Sequence, residues 1–337
     1  MDMHRATLTV PLDEAFEPLA QMAERNGFPV ERDGPVKTIT APLGTVEFRR
    51  DSTGTAVDFS APSPAELQLL KDLYADRLAK LGLDVGIVWH SDQGQVPLNQ
   101  VRCHVASCVN ISPNFVRVRL DGAFGAFAAE EAGLHFRFLF GPEPGTWPYL
   151  DARGLTTWPG GAEAWHRPPF TVRHLAEDAS WMDVDIVLHQ GGRVTEWFDR
   201  VQPGDPMAIQ GPSGTKRPKA PWLGLFGDET AMPIVMRMIE SAPADATGQA
   251  TLALRDPADA QSVPARPDFP IKVVDMADET ALLSALEALE VPADLPAGAR
   301  QVFFAAERAQ ATQARALYKD KGLSSGEAKA ASYWTRS

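Results

Sequence analysis

A change of rhythm near Pro221 constrains this chain more than any other feature. From Val101 to about Pro212 the sequence runs in short β-type segments, 103–109, 114–120, 135–140, 170–175, 182–188 and 207–210, with no long helical pattern between them. Evenly spaced short strands of this kind predict an antiparallel β-barrel over residues 101–215. Beyond Pro221 two periods alternate. Segments 222–226, 251–254, 271–274 and 301–305 have strand character, whereas 230–241, 278–289 and 309–322 carry helical spacing. That alternation predicts a parallel, Rossmann-like α/β sheet over 220–337.

A third region precedes both. Segment 6–10 is strand-like, and Phe16, Leu19, Ala20 and Ala23 recur at helical spacing until Asn26-Gly27 stops the run. Segments 36–40, 45–48 and 55–59 form a meander separated by Gly and Asp-Ser turn signals. Ser63-Pro64-Ala65-Glu66 then has the form of a capping box with proline at the first helical position, ahead of a stripe of Leu67, Leu70, Tyr74, Leu78 and Leu81. These signals predict a small accessory α+β domain over 1–90, with 83–99 as a linker. The expected fold is therefore multi-domain: a small α+β domain, a β-barrel domain and an α/β domain.

Composition narrows the partners. A formal charge of −12 argues against nucleic acid and against an anionic membrane surface. Any anionic substrate needs a pocket of specific arginines and lysines working against that field. The two cysteines, Cys103 and Cys108, are too few for a disulfide framework, and the seven histidines show no ligand spacing, so no protein-bound metal is expected. Absence of a signal-peptide pattern and of a span of roughly 20 apolar residues predicts a cytoplasmic protein without stable membrane insertion.

The residues suited to chemistry cluster in four places. In Arg167-Pro-Pro-Phe170-Thr171-Val172-Arg173, a phenyl ring able to stack adjoins a hydroxyl able to donate or accept, flanked by guanidinium groups. Further on, 185–189 ends in His189, which reads equally as a half-buried strand histidine. The turn Gly192-Arg193-Val194-Thr195-Glu196-Trp197-Phe198 follows, and its Thr195 stands where a hydroxyl would cap a short helix facing phosphate oxygens. Gly227-Asp228-Glu229-Thr230-Ala231-Met232-Pro233 joins a strand to a helix, the place where a dinucleotide's phosphates meet a helix start. Arg255 ends the next strand, where a cation favours a 2′-phosphate, although Asp256 beside it blunts that charge. Near the end lie Ala305-Ala306-Glu307 and Ser332-Tyr333-Trp334-Thr335-Arg336, whose aromatics either dock the terminus or border a cleft.

In that order these strings resemble the motifs of the siderophore-interacting proteins, a branch of the ferredoxin reductase superfamily; 227–233 is the most specific. Turns Pro203-Gly204-Asp205 and Gln210-Gly211-Pro212-Ser213-Gly214 keep the register, and the likeness runs from about Val101 to the C-terminus. The resemblance implies FAD against Phe170, Thr171 and Val172, with His189, Arg193, Val194, Thr195 and Trp197 at its edge. It implies NADPH, or NADH, at Asp228, Glu229, Thr230, Arg255, Glu307 and Trp334. Phe170, Thr171 and His189 would flank the reacting centre. Where the family carries its motif arginine this chain has Pro168, so the pyrophosphate contact falls to Arg167, to Arg173 or to neither. Gln190 replaces the family's glycine, and Arg193 and Val194 replace its proline and alanine. A ferric siderophore would meet Arg137, Arg308, Arg315 and Arg336, with Lys319 and Lys321 as further candidates. The implied activity is an NAD(P)H-dependent flavoprotein oxidoreductase, a monomer that reduces chelated Fe(III) for iron assimilation. Two other readings stay open: a flavin reductase with a different acceptor, and a ferric-chelate binding protein without flavin.

Overall fold

Alternating apolar and polar residues build the amino-terminal sheet. The computed structural model describes residues 2–83, 87–90, 96–189, 191–262, 266, 269–292, 294–296 and 298–336. In the first region β1 (Asp2–Leu8), α1 (Leu12–Arg25), β2 (Val30–Glu31), β3 (Val36–Ala41), β4 (Gly44–Asp51), β5 (Gly54–Ala61), α2 (Pro64–Lys80) and β6 (Val88–His90) follow in order. The six strands form one sheet in the order β2-β3-β4-β5-β1-β6. Ala6, Leu8, Val46, Phe48, Val57 and Phe59 share a core with Phe16 and Leu19 of α1 and Leu67, Leu70 and Leu78 of α2. The expected meander is β3-β4-β5, antiparallel throughout. Ser63 accepts the Glu66 amide, as its capping box predicts. One expectation changes: the 83–99 linker contains β6, which pairs with β1. Three residues between weak loop signals are too few to show a strand period.

The middle region comprises β7 (Gln100–Ser112), β8 (Phe115–Gly122), α3 (Gly125–Ala128), β9 (Gly133–Phe138), β10 (Tyr149–Leu150), β11 (Thr156–Thr157), β12 (Pro169–Thr171), β13 (His174–Leu175), β14 (Trp181–Val187), α4 (Arg193–Phe198) and β15 (Pro206–Lys216). Seven of these strands form a sheet ordered β12-β9-β15-β7-β8-β14-β13. The single strand expected over 170–175 is two, because the chain leaves its pairing with β9 and joins β14 instead.

The last region holds β16 (Trp222–Asp228), α5 (Met232–Ser241), β17 (Thr247–Leu254), β18 (Ile271–Asp275), α6 (Ala281–Glu287), β19 (Arg300–Glu307), α7 (Arg308–Asp320) and β20 (Ala328–Trp334). Its five strands are all parallel, ordered β18-β17-β16-β19-β20. Helix α5 packs Ile234, Val235 and Met238 against Leu223, Leu225 and Leu252 on one face. On the other, α6 and α7 bring Leu282, Leu286 and Tyr318 to Phe226 and Phe304. A sheet covered on both faces needs apolar residues pointing both ways, and β16 and β19 are correspondingly almost continuously buried. Strand β20 was not expected, since 328–331 is alanine- and lysine-rich.

By contact density the chain forms two compact units. One comprises 1–101, 138–168 and 208–211, and the other 102–137, 169–207 and 212–337. Among the described residues no helix is long and apolar enough to cross a membrane, and no group of His, Cys, Asp and Glu is placed to hold a metal ion.

Candidate functional site

Strands β12 and β9 pair with Phe170 opposite Phe136, Thr171 opposite His135 and Pro169 opposite Arg137. The two-residue period puts the Phe170 and Phe136 rings on one face, 6.4 Å apart, and Thr171, His135 and Arg137 on the other. Phe170 is half-buried, Thr171 and Val172 are buried, and Val172 can offer a ligand only its backbone. Arg173 cannot serve as the pyrophosphate contact. Its guanidinium is buried and grips both oxygens of Glu240 at 2.5 and 2.8 Å, with Asp185 at 3.5 Å. Arg167 lies instead over the Trp158 ring, 4.6 Å from its centroid.

β14 stops two residues short of His189, which is exposed and not a half-buried strand residue. Its amide donates to the Thr195 hydroxyl at 3.3 Å. Thr195 is therefore not the helix cap: Gly192 stands at the N-cap position of α4, and Thr195 is the helix's third residue. A Cβ on Gly192 would come within 2.5 Å of the His189 imidazole, so glycine alone lets that ring lie across the start of α4. With six residues, α4 has too little dipole to hold a phosphate by itself. Arg193 is exposed, and Val194 and Trp197 are half-buried. Gln190 lies outside the described residues.

At the carboxyl edge of the parallel sheet, strand order reverses between β16 and β19, the usual crevice of a doubly wound fold. A cavity of about 730 Å³ opens there, lined by Asp228, Met276, Glu279, Glu307, Trp334 and Arg336 among others. Asp228 organises its inner wall. Its Oδ1 accepts the amides of Thr230 and Ala231 at 2.9 and 3.3 Å and the Thr230 hydroxyl at 2.6 Å, while Oδ2 accepts Trp334 Nε1–H at 2.7 Å. Helix α5 accordingly begins at Met232, beyond the expected Thr230, because the Asp228 carboxylate closes the preceding turn. Burial raises the Asp228 carboxyl above its ordinary range. Glu307 caps α7 through the Ala309 amide at 2.5 Å and also accepts the Arg336 amide.

The cations expected for substrate and nucleotide are mostly engaged. Arg255 pairs with buried Glu229 at 2.7 Å and donates to the Leu188 carbonyl at 3.0 Å. Arg336 pairs with Glu279 at 2.7 Å. Arg315 donates to the Ala330 carbonyl and Lys321 to those of Glu287 and Leu289. Arg308 and Arg137 are exposed. Along α7 the cations do not converge, since Arg315 and Lys321 lie roughly 10 and 20 Å down the axis from Arg308 at 1.5 Å per residue.

Sequence reasoning missed a latch between β9 and β20. His135 Nε2 lies 2.8 Å from the Tyr333 hydroxyl, and burial pushes His135 down to about 4 and Tyr333 upward. Gly214, at φ +80°, makes room: a Cβ there would sit 2.8 Å from His135 Nδ1. Tyr333 and Trp334 thus reach in two directions, one to the strand beside Phe170 and Thr171, the other to the turn at Asp228. Tyr333 and Trp334 stood together in the sequence, but the partners are 198 and 106 residues away.

Comparison with known proteins gives this geometry a family. A model of the siderophore-interacting FAD-binding domain matches residues 104–216, and one of the siderophore-interacting protein matches 220–337. An uncharacterized protein of Mycobacterium tuberculosis is 39% identical over 99 residues, 28% of this chain and 35% of that protein, so the match spans about a third of the relative's length. Ferric vibriobactin reductase ViuB of Vibrio cholerae is 26% identical over 239 residues, 67% of this chain and 86% of that protein. The crystal structure of a siderophore utilization protein from T. fusca is similar with a TM-score of 0.60 and 28% identity, covering 73% of this chain and 96% of that one. The two family models lie in tandem along most of the sequence, and the chain belongs to the siderophore-interacting protein family.

Proposed function

We propose that this protein is an NAD(P)H-dependent ferric-siderophore reductase that uses FAD. The observation that carries the reading is the tandem match of the flavin-binding and siderophore-interacting models on a chain similar to a ferric vibriobactin reductase. The chemistry FAD supplies when bound is acceptance of a hydride from a reduced nicotinamide and delivery of single electrons to chelated Fe(III).

The residues present suit that group. Phe170 offers a half-buried ring for stacking, Thr171 a hydroxyl with either polarity, and Arg193 charge for a pyrophosphate. His189 is exposed shortly before Arg193 in sequence and needs no proton-transfer role. Asp228, Glu229, Thr230, Glu307 and Trp334 would shape the nicotinamide crevice, and Trp334, held by Asp228, would give it a flat apolar wall. Arg137 and Arg308 would attract an anionic ferric chelate, with Arg336 at the rim and Arg315, which donates to the Ala330 carbonyl, further along α7. Oxygen-donor chelators hold ferrous ion less well than ferric, so reduction loosens the metal. A domain division at 1–90, 101–215 and 220–337, a monomeric state and a cytoplasmic location belong to the same proposal.

Purified protein supplied with FAD should show bound-flavin absorbance that reduced nicotinamide bleaches and a ferric catecholate restores. Restoration by dioxygen or free flavin but not by the ferric chelate would favour a reductase with another acceptor. Protein that takes up no flavin would overturn the reading.

A further inference from the structure

The cavity at the carboxyl edge of the parallel sheet has a one-sided charge. Asp228, Asp278, Glu279, Glu287 and Glu307 line it. Among the described residues the only cation in that lining is Arg336, which Glu279 already pairs at 2.7 Å. Arg255, at the end of β17, does not belong to the lining, and its guanidinium is held by Glu229.

Three helices begin at this edge, and a carboxylate of the chain itself closes each start. Asp228 Oδ1 accepts the Thr230 and Ala231 amides ahead of α5. Asp278 Oδ1 accepts the Thr280 amide at 3.0 Å and its hydroxyl at 2.7 Å ahead of α6. Glu307 accepts the Ala309 amide at the start of α7. A phosphate binds a helix start through free amides and the positive end of the dipole. Here carboxylates occupy those amides, so a phosphate must displace one anion and face the others. The Thr280 hydroxyl and amide hold the Asp278 carboxyl below its ordinary range. Against the opposing effect of burial, the Ala309 and Arg336 amides do the same for Glu307. Both groups are therefore anions at neutral pH.

We propose that this crevice selects NADH over NADPH by like-charge repulsion, with Asp278, Glu279 and Glu307 as the residues that set the preference. This rests on the reading that a reduced nicotinamide dinucleotide enters the crevice. The pyrophosphate is common to both dinucleotides and cancels in the comparison. What differs is the 2′-phosphate, which adds roughly two negative charges and finds neither an unpaired cation in the lining nor an open helix start. An unphosphorylated ribose has hydroxyls that can donate to carboxylates, the usual partners of that sugar in NAD sites. A cleft lined by one sign of charge concentrates its field, and discrimination built on repulsion needs no contact with the favoured ligand.

The test measures dissociation constants of NAD⁺ and NADP⁺ by calorimetry on the full-length protein. At about 10 mM ionic strength, where charges act over about 30 Å, NADP⁺ should bind at least about tenfold more weakly than NAD⁺. Near 1 M salt, where the range falls to about 3 Å, the two constants should converge. The double variant Asp278→Asn/Glu279→Gln removes two charges, and asparagine keeps the turn ahead of α6. It should shrink the low-salt ratio at least about fivefold, chiefly by tightening NADP⁺. Equal binding of the two at low salt, tighter NADP⁺, or a ratio that neither salt nor the double variant moves would overturn the proposal and leave the nicotinamide reading standing. Wild-type protein that binds neither dinucleotide would instead overturn that reading, and this inference with it.

Discussion

In the proposed reading, Glu229 and Arg255 would decide how much charge the crevice offers a 2′-phosphate. The guanidinium shares a 2.7 Å bond with a buried carboxylate, so a phosphate dianion must compete with it. Glu229→Gln should therefore raise the preference for NADPH over NADH about tenfold, the order of one charge-assisted hydrogen bond. The ratio of dissociation constants for the two oxidised dinucleotides measures it; an unchanged ratio would show that Arg255 is not at the ribose. His135 carries a second residue-scale consequence. Its folded value of about 4 lies below the ordinary 6.5, so the unfolded chain binds more protons between those limits. Stability contributed by neutral His135 is present above about pH 6.5 and is lost as pH falls towards 4, by at most about 3 kcal/mol. Asp183, held to about 2 against burial by His174 and Arg119, acts at lower pH, and half-buried Asp72 and buried Asp228 are shifted the opposite way. The informative quantity is thus the difference between wild type and His135→Gln. Urea unfolding across pH 4 to 7 should show that difference shrinking on acidification.

Strand β20 shows what an element owes to single contacts. It is an alanine-rich edge strand with a bulge opposite Ala306 and Glu307, held at its end by Tyr333 to His135 and by Trp334 to Asp228. Tyr333→Phe keeps the ring and leaves a buried imidazole nitrogen without its partner, which should cost about 1–3 kcal/mol in chemical denaturation. Less than about 0.5 kcal/mol would mean the bond is not a fastening of β20. The long periodic elements were legible in sequence: β3 to β5, α2 with its capping box, and α5 to α7 all stand within a few residues of their expected limits. The failures share a cause. β6 is too short for a period, β20 lacks β-branched residues, and Thr195 and Thr230 have the right chemistry for caps but α4 starts after Gly192 and α5 after Ala231, neither with a side-chain cap, while the Asp228 carboxylate closes the turn before α5. A hydroxyl and a carboxylate two residues apart cannot be ranked without the backbone between them.

At the scale of the molecule, sequence motifs were specific enough to name the family, because 227–233 combines a turn, a helix start and a proline in one string. Partnerships across the chain were not legible. Arg173 was a candidate for phosphate until Glu240, 67 residues on, occupied it, and Lys71 gave no sign of Gly154, 83 residues on. The amino-terminal domain looked like an appendage in sequence, yet Leu155 completes its core. One anaerobic titration tests the central claim most directly: protein with FAD, one equivalent of reduced nicotinamide, then a ferric tris-catecholate in the presence of a ferrous-specific chromophoric chelator. The account predicts loss of the flavin bands, their return on adding the ferric chelate, and two ferrous ions trapped per nicotinamide oxidised. Flavin that stays reduced beside the intact ferric complex would contradict it.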